Sequence, residues 1–214
     1  MIGVFGGTFD PIHYDHIKPV LSVKQSLGLS QLRFIPNRVP PHREPHWLST
    51  EQRLALLQLA LDDFPDVCVD RRELNRSGPS YMVDTLHSLR EDFPDESLCL
   101  IIGMDAFYGI SGWYQWKSLF GYCHLVVTTR PGYQQQSIAE HMDPDDYRFI
   151  EDRITQDVNL LSTRESGQIL LQSVPQLDIS STQIRQMLES GTDISQWVPE
   201  AVYQQLKRNK LDDN

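Results

Sequence analysis

"LCLIIG" over 98–103 carries almost nothing but apolar side chains, and a second stretch of strand length, "HLVVTT" over 124–129, holds an unbroken apolar run at 125–127. Successive residues of a strand point to opposite faces, so a strand with one wet face alternates apolar and polar. These two do not alternate. A strand apolar on both sides belongs in a sheet covered on both sides, as parallel strands joined through helices are. The rest of the chain keeps that pattern. "IGVF" (2–5), "LRFIP" (32–36), "VCVD" (67–70) and "ILLQ" (169–172) read as further strands. Helical stretches over 14–27, 49–64 and 80–93 alternate with them, and helices over 180–190 and 199–208 follow the last. A capping box from Ser49 to Gln52 opens the second helix. A polar, weakly periodic stretch covers 133–165. The alternation predicts an α/β fold with a doubly wound parallel sheet, in which ligands bind beyond the carboxyl ends of the strands.

A chain of 214 residues is expected to form one domain, 1–214, with 180–214 as a small C-terminal helical part. No stretch approaches the roughly 20 apolar residues that span a bilayer. No basic, apolar leader precedes the first strand pattern, so a cytoplasmic location without membrane association is expected. Cys68, Cys99 and Cys123 lie far apart in apolar runs and read as small buried residues, not as a disulfide framework or metal site. The formal net charge of −10 disfavours a nucleic-acid partner. Several basic residues nevertheless gather at loops, among them His42, Arg43, Arg71, Arg72, Arg130 and Arg185, which suits a small anion in a locally basic cleft. Association into a homo-oligomer stays open.

The loop after the first strand, "GGTFDPIHYDH" (6–16), carries the strongest chemical signal. Gly6 and Gly7 let backbone approach a ligand closely, and the helix that follows offers unpaired N–H groups to an anion. The loop lacks the lysine of a P-loop and the glycine spacing of a dinucleotide fingerprint. It has a histidine pair instead. His13 and His16, three residues apart, share one face of the first helical turn and can meet one phosphate group. A purely structural pair is the bland alternative. Zinc is disfavoured because no third ligand stands at a recognisable spacing.

"GGTFDPIHYDH" resembles the opening signature of the nucleotidylyltransferase superfamily, and "GGTFDPIH" is similar to that of its bacterial nicotinate-mononucleotide adenylyltransferase family. The resemblance runs nearly the whole chain. "IPNRVPPHR" (35–43), "SYMVDTL" (80–86), "IIGMDAF" (101–107), "WYQW" (113–116), "RPGY" (130–133) and "ISSTQIR" (179–185) stand in the order that family shows. It implies a Rossmann-like fold and adenylyl transfer from ATP, carried as its Mg²⁺ complex, to nicotinate mononucleotide in NAD biosynthesis. It also implies roles. His13, His16 and Arg185 would be catalytic, holding the ATP phosphates; Gly6, Gly7, Thr8 and Phe9 would form the nucleotide-facing turn. Gly103 and Asp105 would border the nucleotides, and Ser180, Ser181 and Thr182 would open a phosphate-binding helix. Asn37, His42, Arg43, Thr85, Trp113, Tyr114 and Arg130 would bind the mononucleotide. No fixed metal ligand is implied.

Each assignment has a plainer reading. "SST" is an ordinary helix N-cap, Trp113 and Tyr114 are ordinary core aromatics, and "PPHREPHW" (40–47) is an ordinary solvated loop. Arg71, Arg72 and Arg76 are assigned solvated or structural places. The rival functions are a nicotinamide-mononucleotide or phosphopantetheine adenylyltransferase and a non-catalytic nucleotide-binding regulator. A class I tRNA synthetase fragment is disfavoured, since no lysine-rich "KMSKS"-like loop is present. The family's signature has glycine where this chain has Asp15. A carboxylate about 6 Å from a phosphate costs roughly 3 kcal/mol at an effective dielectric near 20. At about 100° per residue Asp15 points away from the face His13 and His16 share, so a working ATP site is expected. On charge alone, Asp15→Gly should keep or improve ATP affinity.

Overall fold

The computed structural model of the chain describes residues 1–38, 47–130, 137–175 and 177–212. The strands are β1 (Ile2–Gly7), β2 (Gln31–Pro36), β3 (Val67–Val69), β4 (Leu98–Gly103), β5 (His124–Thr129), β6 (Ile154–Thr155) and β7 (Ile169–Ser173). They form one seven-stranded sheet in the order β3-β2-β1-β4-β5-β7-β6, parallel throughout. Alternate residues of the central strands feed two cores. Cys99, Ile101, Val126 and Leu170 face one side; Leu98, Leu100, Ile102, Leu125 and Val127 face the other. This two-sided burial is the reason those strands read as unbroken apolar runs.

Helices α1 (Tyr14–Leu27) and α2 (Thr50–Leu61) cover the first side. The α2 capping box forms as expected, with Ser49 Oγ accepting the Gln52 N–H at 3.2 Å and Gln52 Oε1 accepting the Ser49 N–H at 2.9 Å. Gly28 ends α1 in the left-handed region, φ 60°, where an L side chain is strained. The short α3 (Arg72–Asn75) and α4 (Met82–Asp92) follow β3; α4 and α5 (Met104–Tyr108) cover the second side. The stretch read as aperiodic contains α6 (Ser137–Glu140), α7 (Pro144–Glu151), β6 and α8 (Asn159–Thr163). These are too short to show a period, and β6 takes the sheet edge outside β7. Helices α9 (Ser181–Glu189) and α10 (Glu200–Asp212) close the first side through Ile184, Leu188, Val202 and Leu206.

Among the described residues no helix is long and apolar enough to cross a membrane. Cys99 and Cys123 are buried and Cys68 half-buried, all as free thiols. Burial pushes the Cys99 thiol up to about 12 and the Cys123 thiol upward too, so neither is a nucleophile near neutral pH.

An ion-pair network clamps the β3 edge. Asp70 accepts from Arg33 Nη1 and Arg72 Nε, both at 2.9 Å, and Arg72 reaches on to Asp92 at 2.9 Å. Burial opposes the Asp70 charge, but the hydrogen bonds and charge of Arg72 outweigh it and hold the carboxyl below its ordinary range. A lowered carboxyl pKa stabilises the fold above the unfolded value of about 3.9, and the effect is lost as pH falls through the folded value. Asp70→Asn is expected to cost about 2 kcal/mol in urea unfolding at pH 7, with the difference from wild type shrinking below about pH 4.

Candidate active site

The strand order reverses between β1 and β4. The ladder between them runs from Ile2–Leu98 to Val4–Leu100 and stops, while β1–β2 pairing continues to Gly7–Pro36 and β4–β5 pairing to Gly103–Thr128. A crevice at the carboxyl end of a doubly wound sheet follows from such a reversal. Here it is a cleft of about 1220 Å³, bordered by Gly6 and Gly7 on one strand and Gly103 on the other.

Its floor is the β1–α1 loop. Phe9 has φ 49° and is buried, its ring against Phe5 and Phe34 at 5.7 Å and edge-on to His16 at 5.3 Å. A Cβ on Gly7 would lie 2.8 Å from that ring, so only glycine lets the turn fold back over it. Asn37, after β2, braces the turn, its N–H bonded to Gly7 O and its Nδ2 to Thr8 Oγ1, both at 3.0 Å. Beneath both lies Arg53 of α2, 1% exposed, donating from Nη1 to Thr8 O at 2.6 Å and from Nη2 to Asn37 O at 2.9 Å. Sequence reasoning missed Arg53, although the signal was there. Positions 53, 56, 57, 60 and 61 make the core stripe of α2, and a cation on that stripe must be buried.

His13 is the N-cap residue of α1 and His16 lies one turn on, their rings 3.8 Å apart and inclined by 31°. His13 is 3% exposed, and burial lowers its pKa from 6.5 to about 4, so the imidazole is neutral near pH 7. Its Nδ1 is buried without a hydrogen-bond partner among the described residues. The amino end of α9 lines the same cleft as the pair. Ser180 is spent as its cap, in a reciprocal box with Gln183. Ser181 Oγ donates to Pro11 O at 3.0 Å, and Arg185 donates from Nη1 to Asp10 O at 2.7 Å and from Nη2 to Thr182 Oγ1 at 3.1 Å.

Gly103, Asp105, Trp113, Tyr114 and Arg130 line the remaining wall. Trp113 is half-buried and Tyr114 is 51% exposed, its ring 4.5 Å from that of Tyr81. Thr85 lies behind the wall. It is fully buried, and its hydroxyl donates to Glu73 Oε1 at 2.6 Å. His42 and Arg43 lie outside the described residues. Glu73 and Asp10, missed in sequence, both border the cleft. Burial raises the Glu73 pKa against hydrogen bonds from Thr85 and Ser80 and the Arg76 charge. Asp10 accepts the N–H groups of Trp47 at 2.8 Å and Leu48 at 3.0 Å, fixing the approach to α2. Tyr81 is the N-cap residue of helix α4 and gives no side-chain cap, and with Ser80 and Met82 it lines the cleft, so the uncapped amino end of α4 lies there.

A crevice of this size at the strand reversal, lined by a glycine turn and a histidine pair, has the place and the donors that binding a nucleotide would require. The cytidylyltransferase-like family matches residues 4–187, and the chain belongs to it. Within that family it groups with the nicotinate-nucleotide adenylyltransferases. A probable nicotinate-nucleotide adenylyltransferase of Methylococcus capsulatus is 43% identical over 99% of both chains. One from Halorhodospira halophila is 45% identical over 96% of this chain and 92% of its own. In fold, the chain is similar to Plasmodium falciparum nicotinic acid mononucleotide adenylyltransferase solved with NaAD, at TM-score 0.71, 17% identity and coverage of 99% and 97%.

Two outcomes test this construction. Arg53→Met leaves two carbonyls without donors, at about 1–3 kcal/mol each, and is expected to lower the urea midpoint; Arg53→Lys should recover part of the loss. For His13, a depressed pKa means that the unfolded chain takes a proton first as pH falls. Wild-type stability should therefore drop by about 3 kcal/mol between about pH 6.5 and 4, and His13→Leu should flatten that part of the stability–pH curve.

Proposed function

We propose that the cleft joins ATP and nicotinate mononucleotide, giving nicotinate adenine dinucleotide and pyrophosphate. An oxygen of the mononucleotide 5′-phosphate forms a bond to the α-phosphorus as the bond from that phosphorus to the α–β bridging oxygen breaks. The electron pair leaves with pyrophosphate. With a second pKa of about 6, the attacking phosphate is already largely dianionic at pH 7, so no general base is needed. What the protein supplies is alignment and hydrogen-bond donors where charge builds on the transferring and leaving phosphates.

The observation that carries this reading is that the α9 amino end, tied by the Ser181–Pro11 and Arg185–Asp10 bonds to the loop before the histidine pair, lines one cleft with it. A triphosphate there receives imidazole N–H donors on one side and helix N–H groups and the Arg185 guanidinium on the other. Neutral His13 donates one proton without the cost of burying an imidazolium, and bound phosphate then favours its protonated form. Mg²⁺ enters with ATP, held by phosphates and water. The whole chain acts as one nucleotidylyltransferase domain in the cytoplasm, the segment from 180 onward supplying its phosphate end.

The acceptor half is assigned to Trp113, Tyr114, Asn37 and the open end of α4, with Arg130, His42 and Arg43 nearby. First-turn N–H groups and the helix dipole favour a ring carboxylate over a carboxamide. Glu73 is the feature that favours the opposite choice, because a charged carboxylate accepts from an amide and repels an acid.

Pyrophosphate release measured in parallel with the two mononucleotides decides between them. Faster turnover with the nicotinate form is expected; turnover with neither overturns the reading. His16→Ala and Arg185→Ala should each lower kcat by about 100-fold with little change in mononucleotide KM.

A further inference from the structure

Asp15 has no part in the phosphate chemistry above, yet it lies in the same cleft, between the two histidines in sequence. Its side chain is half-buried, and Oδ1 accepts the Leu177 N–H at 2.6 Å, joining segments 162 residues apart. Leu177 belongs to the connector between β7 and α9. The sheet's last bond there runs from the Val174 N–H to Thr129 O at 3.1 Å, and α9 is capped only at Ser180. The described residues between are neither helix nor strand. Their position therefore depends on what they are tied to. Burial raises the Asp15 pKa, the Leu177 N–H and the Arg130 charge oppose the rise, and Asp178 adds to it.

Among the described residues, the connector and α9 are joined to the β1–α1 region by bonds from Ser181 to Pro11, from Arg185 to Asp10, and between Asp15 and Leu177. The second uses a guanidinium that the proposed reaction also assigns to phosphate, so it is shared when ATP arrives. The third ends on a backbone N–H below α9 and does not depend on the ligand. We propose that Asp15 is a positioning residue for ATP, holding Leu177 so that the amino end of α9 stays at a fixed height over His13 and His16. This rests on the triphosphate reading of that end of the cleft. It revises the expectation from sequence, which turned Asp15 away from the histidine face and had no view of Leu177; the side chain lines the same cleft.

Two substitutions separate the hydrogen bond from the charge. Asp15→Ala removes the acceptor; Asp15→Asn keeps an oxygen there and discards the charge. Asp15→Ala is expected to raise the KM for ATP about tenfold and to leave the KM for nicotinate mononucleotide within about twofold, while Asp15→Asn stays near wild type in both. Amide hydrogen exchange without substrate gives an independent readout. Residues 174–182 should exchange about tenfold faster in Asp15→Ala and at the wild-type rate in Asp15→Asn. ATP binding as tight as wild type or tighter in both variants would mean that Asp15 acts through charge alone, and overturns the proposal. Equal rises in both KM values, or unchanged exchange in Asp15→Ala, overturn it too. A wild-type chain inactive with either mononucleotide would instead count against adenylyl transfer, and the exchange rates would still decide what Asp15 does.

Discussion

The loop over residues 8–12 has no regular structure, yet it must hold two imidazoles at a set distance from a helix end more than 160 residues away. Its backbone carbonyls carry that requirement. Thr8 O is met by Arg53, Asp10 O by Arg185 and Pro11 O by Ser181, at 2.6, 2.7 and 3.0 Å. Two of the three donors are guanidinium groups, whose bonds to carbonyls are charge-assisted and stronger than neutral ones. The loop is thus rigid because remote segments meet it, and the cleft keeps its shape because the loop is rigid. Removing regular structure at the strand reversal frees the backbone to face a ligand; the donors from α2 and α9 make up for the stiffness lost.

The same arrangement bears on how a chain with net charge −10 would hold the polyanion proposed for its cleft. Two of the acidic groups that line the cleft are engaged by backbone. Asp10 is turned onto the N–H groups of Trp47 and Leu48, and Asp15 onto that of Leu177. What remains at the mouth is a set of donors: imidazole, helix N–H groups and guanidinium. In a partly desolvated cleft such donors act at a lower effective dielectric than in water and need no reorganisation as charge moves along the phosphates.

Some of this was legible in the residues. The unbroken apolar runs of β4 and β5 imply the two-sided parallel sheet, and "GGTFDPIHYDH" marks the loop that lines the cleft. Periodicity also held a signal that went unread, Arg53 on the core stripe of α2, though its carbonyl partners could not be read from it. Other features were hidden. Thr85 stands in a recognisable stretch, but only packing shows its hydroxyl turned onto Glu73 behind the wall. The short elements between 137 and 163 are below the length at which a helical period declares itself.

What the residues alone determined is local or periodic: strand and helix identity, caps such as Ser49–Gln52, and the histidine pair on one turn. Each depends on contacts within a few positions of the chain. Tertiary structure decided everything that joins distant segments, including the end of the β1–β4 ladder at Val4–Leu100, the Ser181–Pro11 bond between α9 and the loop, and the Asp15–Leu177 bond. Those contacts follow from how the two cores pack. A side chain's partner 162 residues away leaves no mark in its own neighbourhood of the sequence.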